Sequence, residues 1–231
     1  MKTNKVSILG KGMKKTMRIP FLDEDSSFID LLGKFTDLAI LSMLFFLTSI
    51  PLITIGASIT ALYEAIVTSV RGKKAYPYKI YWESFRKKFF TATPFWILYL
   101  LAMALMVFNI NFAFHQYNNM GLFLLAGDVT VLLLLGFQII YTFALLAKGY
   151  QGFFHVFKMA FMYGIGHLPY SILALIITVI GVSFIIMTYG VLGVLLPGFI
   201  GAFVSVPLEK VFEKHLENED EDEEEEDWEE P

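Results

Sequence analysis

Three carboxylates, Asp37, Glu64 and Asp128, lie in mostly apolar segments and are the first candidates for chemistry. A carboxylate inside a membrane is costly, so it usually binds a cation or proton or pairs within the protein. A coupled transporter would use Asp128 for binding, whereas a structural Asp128 would form an interhelical hydrogen bond. Glu64 lies two helical turns before Arg71 and could instead pair with basic groups at the inner surface.

Patterns typical of enzymes and metal sites are missing from the sequence. The chain has no cysteine, and its four histidines are scattered. This excludes disulfides and thiolate sites and leaves no metal-ligand spacing. No phosphate-binding glycine loop, nucleophile elbow or HExxH pattern occurs. We therefore expect no enzymatic activity, cofactor or metal site, and no nucleic-acid binding, because the membrane accounts for the basic loops.

The composition indicates a membrane protein. Of the 231 residues, 56% are apolar and 16% aromatic, above the roughly 45–50% apolar content of soluble domains. We predict an all-α polytopic transmembrane bundle covering residues 31–210, in contact with the lipid bilayer. A basic cytoplasmic segment precedes it at 1–30. Because 12 of the 22 acidic residues fall in 217–230, we expect 211–231 to be a disordered acidic tail.

The predicted crossings follow from apolar length and positive charge. Four are evident at 93–113, 122–147, 168–187 and 191–208. Residues 31–70 form either two spans folded at Ser49-Ile50-Pro51 or one span and an interfacial helix. Seven Lys/Arg precede this region or lie at its start, and seven more occupy 71–92. Segments rich in Lys and Arg beside a membrane span stay in the cytoplasm. We predict six spans in the cell membrane with both termini cytoplasmic, and a five-span alternative.

Cytoplasmic amphipathic helices are expected between the spans. The stretch 78–90 places aromatic residues at helical spacing with cations on its other faces, which suits a helix lying at the lipid headgroups. A similar aromatic stripe occupies 150–161. The first stretch is either a docking surface for a partner or a plain membrane-surface connector. Its candidate partner or lipid surface consists of Tyr78, Trp82, Phe85, Phe89, Arg86 and Lys87.

One part of the sequence is similar to a known family. The run 49–57 (SIPLITIGA), followed by Ala61-Leu62-Tyr63, Arg71-Gly72 and 85–90 (FRKKFF), resembles the YesL-like family of bacterial integral membrane proteins. The hairpin at Pro51 and Gly56, which leads into a basic aromatic loop, carries most of this resemblance.

The resemblance implies a role but no site residues. The family is a domain of unknown function whose members are often encoded beside sugar-uptake ABC transporters and polysaccharide-degrading enzymes. It therefore implies a non-enzymatic accessory component of carbohydrate uptake, with membrane transporter subunits as partners. The alternative is a small secondary transporter that uses the intramembrane carboxylates.

Overall fold

The computed structural model describes residues 26–72, 76–114, 119–187 and 193–229, and every regular element in those ranges is helical. Within those ranges, the residues from Thr36 onward belong to one compact unit, the bundle, and residues 26–35 belong to another. The prediction of an all-α polytopic bundle is confirmed. The α-helices are α1 (Ser26–Thr48), α2 (Ile55–Ala65), α3 (Pro77–Phe114), α4 (Asn119–Lys148), α5 (Phe153–Gly166), α6 (Leu168–Met187) and α7 (Leu196–Glu229).

The outside of the bundle is apolar. Phe108, Phe123 and Ile186 are 74%, 77% and 72% exposed, and many other large apolar side chains are exposed with them. Soluble monomers rarely expose apolar patches of this extent. The surface is therefore suited to lipid, and the chain is a membrane protein.

Polar side chains are paired between helices inside the bundle. The Tyr99 hydroxyl lies 2.6 Å from Thr142 Oγ1, which joins α3 to α4. The backbone N–H of Gly198 donates to Ser42 Oγ at 2.8 Å, which joins α7 to α1. Such bonds satisfy groups that have no water partner in a bilayer.

Residues 31–70 fold as two helices. Helix α1 ends at Thr48, the chain turns through Ser49, Ile50 and Pro51, and a short 3₁₀ turn leads into α2. Pro51 lacks a backbone N–H, so it favours the end of a helix at this point. A π-helical segment, Ile66–Arg71, continues α2.

The segment 78–90, predicted as a separate surface helix, is instead the first part of α3. This helix has 38 residues, which corresponds to about 57 Å at 1.5 Å per residue. Pro94, expected in the first turn of a span, lies inside α3. No glycine or proline lies between Tyr78 and Thr93, so nothing in the sequence ends the helix before the apolar span.

Five helices among the described residues are long and apolar enough to cross a membrane. The sixth predicted crossing, 191–208, is not among them. Residues 188–192 lie outside the described ranges, and α7 begins only at Leu196, which leaves roughly 20 Å of apolar helix before Glu209. The five candidates are Leu31–Thr48, Leu52–Val70, Pro77–Phe112, Phe123–Lys148 and Leu168–Met187.

Two regions between and after these helices are also helical. Gly149 and Gly152 have φ values of 98° and 91°, which only glycine adopts readily, and they turn the chain into α5 within the predicted aromatic stripe. Helix α7 continues through the acidic residues to Glu229, where composition predicts a disordered tail. Glutamate is a good helix former, which is compatible with helical backbone there.

Candidate functional site

The carboxylate of Glu64 lies in an ion pair between α2 and α3. Lys88 Nζ donates to Glu64 Oε2, and Ser84 Oγ donates to the same oxygen at 2.5 Å. Lys88 also donates to the backbone carbonyl of Ala147 at 2.5 Å, near the end of α4. The Lys88 and Glu64 side chains are only 12% and 29% exposed. Glu64 therefore pairs with a basic group, as one of the sequence alternatives held, but from another helix.

A second ion pair lies beside the first. Lys148 Nζ is 2.9 Å from Glu209 Oε2, and the Tyr63 hydroxyl donates to Glu209 Oε1 at 2.6 Å. Lys148 also lies 4.3 Å from the centre of the Phe212 ring, a cation–π distance. Because Tyr63 and Ala147 are the chain neighbours of Glu64 and Lys148, the two pairs are connected.

We call Glu64, Lys88, Lys148 and Glu209 the charge belt. It ties α2, α3, α4 and α7 together at one end of the bundle. Two cations and two carboxylates compensate each other there, and breaking one member of a largely buried pair is costly. Pairing of this kind is what charged side chains in or near a bilayer require, because an unpaired charge there is costly.

The aromatic–cationic face of α3 lies beyond the belt. Tyr78 and Trp82 are 44% and 43% exposed, and the Arg86 guanidinium lies 5.1 Å from the Trp82 ring centre. With Lys87 they line an open groove of about 710 Å³ that also contacts Leu44 of α1. The face thus combines aromatic surface with positive charge.

Phe85 and Phe89, predicted to share that face, are half-buried. Phe85 stacks between Tyr81 and Trp82, at ring-centre distances of 6.4 and 5.9 Å. Both phenylalanines pack against the hydrophobic core. They therefore fix the helix in the bundle more than they offer a binding surface.

Asp128 lies on α4 and is buried, with 5% exposure. Asn109 Nδ2 of α3 donates to its Oδ1 at 2.5 Å. Its Oδ2 is buried without a hydrogen-bond partner in the described part of the chain. Asp128 thus forms the interhelical bond of the structural alternative and retains one unused acceptor.

The three predicted carboxylates are not brought together. Asp37 is half-buried on α1, Glu64 belongs to the charge belt, and Asp128 bonds to α3. Among the described residues, no group of three or more His, Asp or Glu side chains could hold a metal ion. The three carboxylates therefore do not form one shared binding site.

Pro51 and Gly56 occupy different places in the α1–α2 hairpin. Pro51 is exposed in the turn, whereas Gly56 is buried against α3. A Cβ at Gly56 would lie 2.6 Å from Trp96 Cβ and 3.1 Å from the Ala92 carbonyl oxygen. Trp96 Nε1 also donates to the Leu52 carbonyl at 2.7 Å. Glycine at position 56 is what allows the two helices this approach.

His167 lies between α5 and α6. Burial lowers the pKa of His167, and the positive charges of Lys214 and His215 lower it further. Its Nδ1 is buried without a hydrogen-bond partner among the residues described. The neutral imidazole is therefore the favoured form.

Sequence reasoning missed two members of the charge belt. The sequence predicts Lys88 only as one of the cytoplasmic charges of 71–92 and predicts no role for Glu209. The sequence feature that could have indicated their pairing is that Lys148 and Glu209 each lie at the charged end of an apolar run. Such residues are candidates to pair where the helices meet.

The fold and these contacts define a polytopic helical membrane protein in which the ion pairs of the described residues lie together at the charge belt. Residues 38–110 match the family described as "Protein of unknown function, DUF624". The match covers roughly a third of the chain and contains the segments that carry the resemblance stated above. No curated protein and no solved structure matches the chain.

Proposed function

We propose that this protein is a non-enzymatic accessory component of a membrane transport complex that docks through the aromatic–cationic face of α3. The observation that carries the proposal is the exposure of Tyr78, Trp82 and Arg86 on a helix fixed from its other side. Tyr81 is fully buried and Ser84 is 3% exposed, while Lys88 is held in the charge belt. The exposed face is therefore presented in one orientation.

The composition of this face suits protein recognition. Trp, Tyr and Arg are the residues that most often dominate binding energy at interfaces. A helix held rigidly by its neighbours also loses little conformational entropy on binding. The face lies on the charged side of the belt, next to water and lipid headgroups, where a cytoplasmic partner could reach it.

Carbohydrate uptake is the proposed setting. The resemblance to YesL-like proteins supports a permease of the sugar-uptake type as the partner. The positive charge of 71–92 supports a cytoplasmic location of the docking face in the cell membrane.

The test is crosslinking and co-purification from cells, with variants at two parts of α3. Trp82→Ala with Arg86→Ala changes the docking face and spares half-buried Phe85. Ile97→Ala with Leu101→Ala is the matched control, since these residues are 51% and 60% exposed on the apolar part of the same helix.

We expect the wild type and the control pair to co-purify with a permease subunit in stoichiometric amount, and the docking-face pair to lose it. Sugar uptake should fall with the lost subunit while membrane insertion is unchanged. If the wild type retains no permease subunit, or if both pairs of variants retain it equally, the accessory role is wrong.

A small secondary transporter is the second candidate because one buried oxygen of Asp128 has no hydrogen-bond partner among the described residues. A proton or small cation could bind there. The contact with Asn109 also supports a purely structural role, so this candidate is ranked second.

A further inference from the structure

An elongated cleft lies inside the bundle, between α4 on one side and α6 and α7 on the other. It has a volume of about 240 Å³, and its walls include Ile139 of α4, Val182 of α6 and Val204 of α7, while side chains of α1 and α2 complete the lining. Along α7 the cleft extends from Pro197 to Leu208, which corresponds to about 16 Å of helix. The cleft therefore follows the direction of the helix instead of forming a compact pocket.

The lining of the cleft is almost entirely apolar. Among the side chains that line it, only those of Thr178 and Tyr63 carry a polar atom. Thr178 Oγ1 donates to the Ala174 carbonyl at 2.8 Å, and the Tyr63 hydroxyl donates to Glu209. A buried water needs about two to four polar partners, whereas a cavity of about 150 Å³ lined by Leu, Ile and Phe stays dry and binds benzene. The cleft is therefore suited to an apolar ligand and not to water.

The cleft is closed at one end and open at the other. At the closed end Leu208 and Phe143 are each 1% exposed, whereas Val182 is 47% exposed. Val182 lies at the opposite end because its chain neighbour Gly181 contacts Ile200, eight residues before Leu208. Val182 belongs to the cleft and also to the outer surface of α6, a helix without a charged residue. The cleft is therefore continuous with the surface of the bundle that faces lipid.

Close contacts hold α7 in place beside the cleft. A Cβ at Gly181 of α6 would lie 2.6 Å from Ile200 Cγ1 of α7. A Cβ at Gly201 of α7 would lie 2.7 Å from Ile66 Cδ1, in the π-helical segment that continues α2. Since α7 is in contact with helices on both sides, it cannot move into the cleft without losing one of these contacts. An unfilled cavity destabilises a protein increasingly with its volume, so an occupant of the cleft stabilises the bundle.

A lipid acyl chain matches the length, the chemistry and the opening of the cleft. It is flexible and elongated, and its methylene groups need no hydrogen-bond partner. The opening at Val182 lies within the candidate membrane span Leu168–Met187, so a chain can enter sideways from the bilayer without crossing water. A helix of a second copy is about 10–12 Å in diameter with its side chains, which is too wide for a cleft of about 240 Å³.

We propose that the cleft binds one acyl chain of a membrane phospholipid, which enters at Val182 and extends toward Leu208. The second chain and the headgroup remain in the bilayer, so recognition depends on the apolar lining alone. The bound chain supplies the contacts that α4 and α7 do not make with each other across the cleft. No residue of α3 lines the cleft, so the site is separate from the docking face and does not depend on the proposed function.

Photocrosslinking of the full chain in vesicles tests the site. The vesicles consist of phosphatidylcholine with a small fraction of a phosphatidylcholine that carries a diazirine at the end of one acyl chain. Crosslinked residues are mapped by mass spectrometry after illumination. Phe143 and Leu208 report occupancy, because lipid outside the bundle cannot reach side chains that are buried to this degree. Ile186, which is highly exposed, reports ordinary contact with lipid.

Val204→Phe fills the cleft, and Val206→Phe is the matched control because Val206 is exposed on the same helix. We expect the wild type and the control to be crosslinked at Phe143 or Leu208. Val204→Phe should lose this crosslink, while the crosslink at Ile186 should be the same in all three proteins.

Val182→Phe narrows the opening and provides an independent reading if Val204→Phe fails to insert, with exposed Val179→Phe as its control. Three outcomes would overturn the proposal. The wild type could be crosslinked only at exposed residues such as Ile186, or the two variants of α7 could be crosslinked equally at Phe143 and Leu208. A free fatty acid with the same diazirine could also reach these two residues where the phospholipid does not.

Discussion

Replacing Gly56 by alanine tests the contact that attaches α2 to α3. The added Cβ would lie 2.6 Å from Trp96 Cβ, whereas non-bonded carbon atoms are best placed at about 3.5–4.0 Å. Neither atom can rotate away, since both are fixed to the backbone. The two helices must therefore separate by about 1 Å at this point.

The expected loss of stability follows from that shift. Overpacking of a well-packed site costs about 1–3 kcal/mol. Moving Trp96 away from the Leu52 carbonyl also weakens a hydrogen bond worth about 0.6 kcal/mol in a membrane protein. Alanine recovers about 1 kcal/mol or less through its higher helix propensity. We expect Gly56→Ala to lower the free energy of unfolding by about 1–2 kcal/mol.

Gly127→Ala is the matched control because a Cβ there meets nothing within 4 Å. Unfolding is followed by circular dichroism during titration of dodecylmaltoside micelles with sodium dodecyl sulfate. The control should be unchanged or stabilised by up to about 1 kcal/mol. If Gly56→Ala is as stable as the wild type, α2 and α3 do not approach each other at Gly56 as closely as the structure indicates.

Three further outcomes are expected in the same detergent titration. Lys88→Met should lower the free energy of unfolding by about 2 kcal/mol, which is less than the loss for a fully buried pair because Glu64 is partly exposed. Adding Glu64→Gln to Lys88→Met should restore part of this lost stability. A double variant no more stable than Lys88→Met would contradict the pairing. Asp128→Asn should cost less than about 1 kcal/mol if Asp128 is structural, whereas loss of cation-coupled uptake with unchanged stability would favour the transporter. Burial lowers the pKa of His167 below 6.5 in the folded protein. The unfolded chain therefore takes up the proton first, and the free energy of unfolding should fall as the pH drops through 6.5. His167→Gln should reduce this pH dependence; a pH profile of the variant identical to that of the wild type would contradict the role of His167.

The helical membrane fold could be predicted because a bilayer places strong demands on sequence. Long apolar runs such as 122–147 leave few alternatives to a helix, since lipid offers no partners to the backbone. The turn at Pro51 was predictable for a similar local reason. The continuity of α3 was not, because the change from basic to apolar residues near Phe90 resembles a boundary although nothing there stops a helix.

The candidate site was less predictable, because its contacts join residues distant in sequence. From the sequence, Glu64 could be expected to pair with a cation, but the candidate partner nearest along the helix was Arg71. The choice of Lys88 depends on how α2 and α3 pack, which Gly56 and Trp96 decide. The pairing of Lys148 with Glu209 likewise requires α7 to return to the end of α4.

The charge belt also has a consequence for biosynthesis. Glu64, Lys88 and Ala147 are made before α7, so their contacts can form early. Glu209 follows Lys148 by 61 residues, which takes roughly 3–12 s at 5–20 residues per second. During that interval Lys148 has no carboxylate from α7, and a chain released before Glu209 would leave that ammonium group uncompensated. Quality-control proteases of the membrane could distinguish a finished chain from a truncated one at this position.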